Sequence, residues 1–339
     1  LRSTIHAILE KDLEDGVEDV RAEFLQSQME AVTRICATVQ ELNTELWRMR
    51  REAGKLARSL GLGLAAAGTH PFSRWTEQLV TDGARYAALA EELQEVGRRL
   101  VTFGMHVHVG IADPELRIQV MNRIRPYLPL LLALSTSSPF FNGRFTGLQS
   151  YRASVFASLP RTGIPPYFSS WDEYRTTVDH LLTTGLLTDP SFIWWDARPS
   201  ARFPTLEVRI HDMPSRVEET ICLAAWVQAL AVKLAREPEP AQVRRFITDI
   251  NKWEAARHGL DAQLLLSPDG PRQRLIDWVE ALLEWLADVA KELDSEDALA
   301  YTRIILQEGT SSTRQLRVWR ETNDLQEVVA QLAQETLGP

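Results

Sequence analysis

One run of the chain limits its fold more than any other. In Val101-Thr-Phe-Gly-Met-His-Val-His-Val-Gly-Ile111, β-branched and small residues disfavour helix. Period two sets His106 and His108 on one face of a strand, with Met105, Val107 and Val109 on the other. Most other apolar stripes of the chain recur at three- and four-residue spacing, so the fold must combine helices with a sheet. Two imidazoles on one strand face need partners for both nitrogens of each ring when buried. A metal ion with its ligands, or ordinary hydrogen-bonded protein groups, would each meet that need, and H-x-H alone does not separate them.

The 339 residues suffice for one large domain or two of ordinary size, and 45% hydrophobic with 24% charged residues is the profile of a soluble globular protein. A formal net charge of -9 argues against a dedicated nucleic-acid binder and leaves any anionic ligand to local arginines or a metal. Cys36 and Cys222 have neither metal-type nor redox spacing and are expected as buried free thiols of a cytoplasmic protein. No apolar run of membrane-spanning length and no leader pattern occurs. The first residue is Leu rather than Met, from which an N-terminal piece is expected to be missing.

In chain order, residues 1–60 read as helical almost throughout, with stripes at Ile5, Ile8, Leu9 and Leu13 and then at Val32, Ile35, Val39, Leu42, Leu46 and Met49. Between them Glu23 and Glu30 stand seven residues apart; they share a pocket if the chain is extended at Glu23 and helical by Glu30, and otherwise form a solvated face. Leu62 to Ala67 predicts a short strand that Pro71 ends. Tyr86 to Leu100 predicts a helix bearing Glu91, Glu92 and Glu95, and Pro114 to Leu134 a helix broken at Pro126 and Pro129. Residues 135–152 are polar and glycine-rich, a long loop in which Arg144 and Arg152, with Arg161 beyond, offer anion-binding groups or lie solvated on the surface.

Residues 191–200 and 203–212 predict a strand pair joined by a Pro-Ser turn. On the second strand Glu207, Arg209 and His211 share one face and Leu206, Val208 and Ile210 the other. A carboxylate and a guanidinium two residues apart suit a metal and the phosphate it neutralises, or an ordinary solvated sheet face. From Ser215 on the chain reads as helices over 217–235, 241–256, 274–293, 298–308 and 325–337.

Phe103-Gly-Met-His-Val-His-Val-Gly110, Gly68-Thr-His-Pro71, Ser138-Pro-Phe-Phe-Asn-Gly-Arg144, Ser150-Tyr-Arg152, Leu159-Pro-Arg-Thr-Gly163, Trp195-Asp-Ala-Arg-Pro199, Thr205-Leu-Glu-Val-Arg-Ile210 and Ala255-Ala-Arg-His-Gly-Leu260 together resemble the bacterial carboxylate-amine ligases of the glutamate-cysteine ligase type. The resemblance runs from about Glu23 to the last helix. It implies an α+β fold like that of glutamine synthetase and guanido kinases, a curved, mainly antiparallel sheet with helices on its convex face. It also implies a single catalytic domain over 1–339, largely helical from 215.

The family reaction it implies is ATP-dependent activation of a carboxylate, typically the γ-carboxylate of glutamate, as an acyl phosphate for attack by an amine. By the same resemblance Glu23, Glu30, His106 and Glu207 bind Mg²⁺ (or Mn²⁺), and His108 lies nearer ATP. Arg209 contacts the phosphates, and Arg152 holds the substrate carboxylate. The implied partners are small carboxylate and amine substrates and a second copy of the chain, without nucleic acid or membrane. Family members open on a Gly-hydrophobic-Glu-x-Glu strand that nothing before Glu23 matches, Gly16-Val-Glu-Asp-Val20 lying too close to it. The strand is therefore expected to be absent, and a non-catalytic nucleotide- or amino-acid-binding relative stands as the second reading.

Overall fold

The computed structural model describes residues 1–15, 20–237, 243–267 and 270–338. Helix α1 (Ile5–Asp15) leads to an antiparallel hairpin, β1 (Val20–Ala22) with β2 (Met29–Ala31), which sets Arg21 opposite Glu30. The predicted helix at Glu30 is thus a strand. Tertiary bonds pull the turn out of helix: buried Gln28 donates to the carbonyls of Leu100 and Thr102, while its Oε1 accepts from Leu25 N. Helix α2 (Val39–Ser59) starts later than its stripe predicts, because Thr38 caps it by accepting from Glu41 N. Val32 and Ile35 stay exposed ahead of that cap, and Cys36 is half-buried rather than buried.

Among the described residues, 62–67 join no ladder, and the nearest pairing is a single bridge between Thr69 and Thr102 beyond the expected strand. Helix α3 (Ala84–Arg98) feeds β3 (Val107–Gly110) as predicted. Helices α4 (Pro114–Ile124) and α5 (Leu128–Ser135) part at a 3-10 turn, Arg125–Tyr127, where the prolines require it. The first part of the polar stretch that follows lies inside the protein. Ser135 through Phe141 are all buried, and their polar groups bond internally, Ser138 Oγ to Asp212 (2.6 Å) and Ser137 Oγ to Ser311 (2.9 Å) among them.

Beyond it come the hairpin β4 (Phe140–Phe141) and β5 (Arg144–Phe145), helix α6 (Tyr151–Ala157) capped by Ser150, β6 (Thr162–Gly163), α7 (Trp171–Thr183), β7 (Trp194–Trp195), β8 (Ala197–Pro199) and β9 (Thr205–Val208). The C-terminal part holds α8 (Val217–Arg236), α9 (Arg245–His258), a hairpin of β10 (Gln263–Leu265) with β11 (Arg272–Arg274), and α10 (Leu275–Trp285). Helices α11 (Ala287–Glu292), α12 (Glu296–Glu308), α13 (Ser311–Thr322) and α14 (Leu325–Leu337) complete it. The sequence missed α13 and this hairpin, merged α10 with α11, and began α9 at Ala241, which lies outside the described residues.

Strands and helices are mixed, and the ladders form small sheets, the largest an antiparallel trio in the order β3-β9-β8. One face of that trio, with Val208 and Ala197, joins the main core together with Trp226 and Leu223 of α8. Buried Arg314 donates to Glu219 (2.6 Å), Glu335 (2.8 Å) and Ser215 (3.1 Å), tying α13 and α14 to the segment that leaves β9. Among the described residues no helix is long and apolar enough to cross a membrane.

Candidate active site

Strand register builds the site. Glu207 of central β9 pairs with His108 of β3 on one side and with Arg198 of β8 on the other, so the three side chains stand in a row on the face away from the core. Arg198 Nε donates to Glu207 Oε2 at 2.8 Å, and His108 Nε2 lies 3.7 Å from Oε1. His106, one alternation earlier on the same run, has Nδ1 3.6 Å from Oε1. Arg209 Nη1 donates to Glu207 Oε1 and lies 3.3 Å from His106 Nδ1. A guanidinium has no acceptor, so His106 Nδ1 meets it with a lone pair. The expected convergence of His106, Glu207 and Arg209 is therefore observed.

The expected alternation fails one step later, at His211. Val107 pairs with Val208, and the next pairing beyond it is Gly104 with Asp212, which leaves Met105 and His106 facing Arg209, Ile210 and His211. One extra residue on the second side is a β-bulge, which bends the strand and re-aims its side chains. His211 turns wholly inside, where among the described residues neither ring nitrogen has a hydrogen-bond partner, and burial lowers its pKa to about 3.

Arg152 braces the bulge. Its buried guanidinium donates to the carbonyls of Ile210 (3.2 Å) and Arg209 (3.3 Å), and it lies 4.0 Å from Asp212. Asp212 in turn accepts from Ser137 N, Ser138 Oγ and Ser150 Oγ. Burial raises the Asp212 pKa against these bonds and Arg152. A Cβ at Gly104 would overlap the Arg152 guanidinium, which explains a glycine inside this strand run.

Burial pushes the Glu207 carboxyl upward, but Arg209 and then Arg198 outweigh it and hold the group far below the usual carboxylate range. Burial draws Arg209 down to about 10 against the pull of Glu207, so it stays charged at neutral pH. His106 is held neutral first by the protein mass around it and then by Arg209. Burial also lowers His108, against Glu207; its Nδ1 pairs with Thr205 Oγ1 at 2.9 Å. Glu23 follows β1, and its acidity is weakened by burial and then by Glu30, while Arg209 acts in the opposite sense. Glu30 lies exposed on β2. Arg161 is committed to Glu92 (2.7 Å) and Phe192 O, while Arg144 is exposed.

Sequence reasoning missed Arg198 and the pair that backs Arg209. Asp196 takes Lys252 Nζ on both oxygens, at 2.8 and 2.6 Å, and its carbonyl accepts from Arg209 N at 2.7 Å. The available signal was alternation along the strand predicted over 191–200, which sets Asp196 and Arg198 on one side, although the chain in fact bends at Asp196 between β7 and β8.

The donor types at Glu207, His106 and Glu23 suit a divalent cation, but the arrangement does not seat one. Both Glu207 oxygens carry arginines, and among the described residues no three His, Cys, Asp or Glu side chains are grouped closely enough to hold a metal ion.

The model of glutamate-cysteine ligase family 2 matches residues 2–331. The protein named "Putative glutamate--cysteine ligase 2" of Solibacter usitatus is 44% identical, over 99% of this chain and 89% of its own length. The protein of the same name from Herpetosiphon aurantiacus is 45% identical, over 99% and 89%. The chain belongs to glutamate-cysteine ligase family 2. Among solved structures, a bifunctional glutathione synthetase from Pasteurella multocida superposes with a TM-score of 0.70 at 14% identity. The match covers 94% of this chain and 48% of that one, so the chain spans about half of that protein, and the likeness is one of fold.

Proposed function

We propose that the protein is an ATP-dependent carboxylate–amine ligase of the glutamate–cysteine ligase kind, acting as one catalytic unit in the cytoplasm. Family membership supports the reaction class. The observation that carries the site is the array on one sheet face, in which Arg209 is charged, half-buried and, among the described residues, without a partner at its buried Nε.

In this reading a carboxylate oxygen of the donor attacks the terminal phosphorus of ATP and ADP leaves. The amine then attacks the acyl carbon, phosphate departs, and the amine nitrogen loses its proton. Arg209 faces the transferring phosphoryl group, where a planar guanidinium stabilises the developing charge. Glu207 and the bulge hold Arg209 in aim, and His108 lies toward the nucleotide. A divalent metal, Mg²⁺ or Mn²⁺, when bound, neutralises phosphate charge; Glu23, Glu30, His106 and Glu207 are its proposed ligands. Arg152, through its proximity to the array, is assigned to the donor carboxylate. The bridges that prolong β3 toward Thr69 and join Gly104 to Asp212 support reading the small sheets as one curved sheet of the glutamine synthetase and guanido kinase type.

The test is phosphate release and product formation with ATP, Mg²⁺, glutamate and a panel of amines including cysteine. Phosphate release that requires both a carboxylate and an amine is expected. The occupied Glu207 favours one rival, a nucleotide- or amino-acid-binding relative, which would bind ATP and release no phosphate with any pair.

A further inference from the structure

The array contains a conflict: the residues assigned to a metal are satisfied without one. Glu207 Oε1 and His106 Nδ1 are 3.6 Å apart, a little wider than the roughly 3.0 Å between neighbouring donors of one Mg²⁺ ion. Both lone pairs converge on one group, Arg209 Nη1. The guanidinium thus sits where a cation shared by these two donors would sit.

The two arginines on Glu207 are not equivalent. Arg198 is fixed, since beyond Glu207 it donates through Nη1 to the carbonyls of Ser191 (2.6 Å) and Ile193. Among the described residues Arg209 has Glu207 and His106 as its side-chain partners, and its buried Nε has none. A buried donor without a partner costs on the order of 1–3 kcal/mol, which favours moving this guanidinium toward an anion able to take all its N–H groups. A polyphosphate is such an anion.

From this we infer that Arg209 is a displaceable counter-cation. It closes Glu207 Oε1 and His106 Nδ1 to divalent metal until a nucleotide polyphosphate draws the guanidinium away, while Arg198 keeps Glu207 Oε2 throughout. Metal loading at this pair is therefore conditional on nucleotide. The inference rests on the ligase reading for the identity of the polyphosphate, but its test involves no turnover, so the two can fail separately.

The experiment is Mn²⁺ titration followed by electron paramagnetic resonance, with the whole chain, in the presence and absence of the β,γ-imido analogue of ATP. Without nucleotide, Arg209→Gln should bind Mn²⁺ at least about tenfold more tightly than wild type, and Arg209→Gln/Glu207→Gln should lose that gain. Arg209→Lys, which keeps a positive charge at the position, should stay closed like wild type. With the analogue, wild type should bind Mn²⁺ beyond the affinity of the free analogue, and Glu207→Gln should not. Equal nucleotide-free affinity in wild type and Arg209→Gln would overturn the inference, as would a gain that survives loss of Glu207. Should Arg209→Gln not fold by circular dichroism, the wild-type and Glu207→Gln titrations decide alone: tight Mn²⁺ binding by wild type without nucleotide that Glu207→Gln abolishes, or no effect of Glu207→Gln with the analogue, refutes it.

Discussion

Arg198 and Glu207 face each other across neighbouring antiparallel strands, Nε to Oε2 at 2.8 Å, in a pair almost closed to water. Breaking such a pair from one side leaves a buried charge short of a partner, at a cost of about 3 kcal/mol. Arg198→Met should lower stability by that order in urea melts. The double variant Arg198→Met/Glu207→Met should lose less than the two single losses together, by more than about 1 kcal/mol. Additive losses would show that the strands are not coupled through this pair.

Arg209→Lys tests the phosphoryl contact. A lysine keeps the charge but not the planar fork, so kcat should drop on the order of tenfold to a thousandfold while the melting temperature changes little. Unchanged turnover would remove Arg209 from the mechanism.

The bulge makes its own prediction at Gly104. Gly104→Ala sets a methyl against the Arg152 guanidinium, and relief of the overlap has to displace either Arg152 or the strand, at about 1–3 kcal/mol. Adding Arg152→Gln, which shortens the side chain, should recover part of the stability that Gly104→Ala loses. A double variant weaker than both single variants by the full additive amount would mean that the glycine is required for another reason.

His211 should reveal itself through pH. The fold holds its ring neutral, with a pKa of about 3, while the unfolded chain takes up a proton near pH 6.5. The unfolded state therefore binds more protons between those values, and stability is lost as pH falls through that window. Between pH 7.5 and 5.5 this one group should cost about 1.4 kcal/mol. His211→Leu should therefore lose about that much less than wild type over the same interval. Parallel pH profiles for the two proteins would show that the ring is protonated inside the fold.

Local pattern made much of this visible beforehand. Alternation placed His106 with His108 and Glu207 with Arg209, and helical spacing found α3 and α8, because each of these depends on neighbours in sequence. What stayed hidden depends on partners far along the chain. Arg198 gains its role only from the register of β8 on β9. The helix expected at Glu30 yields to bonds that Gln28 makes more than 70 residues away. Ser137 and Ser138 have the composition of a surface loop, yet Asp212 and Ser311 supply the partners that let them be buried. His211 misled because a bulge is a property of two strands, whereas period two was read from one.

The Arg314 anchor has a consequence for how the molecule opens. Since that guanidinium binds Glu219, Glu335 and Ser215 at once, α13 and α14 cannot leave without stripping the buried Glu219 carboxylate of its guanidinium and Ser215, three residues beyond Asp212, of a donor. The last helices and the strand end that aims Arg209 therefore belong to one cooperative unit. Their slowest amide protons should exchange with deuterium at a common free energy, with no partial opening that frees the C-terminal helices alone.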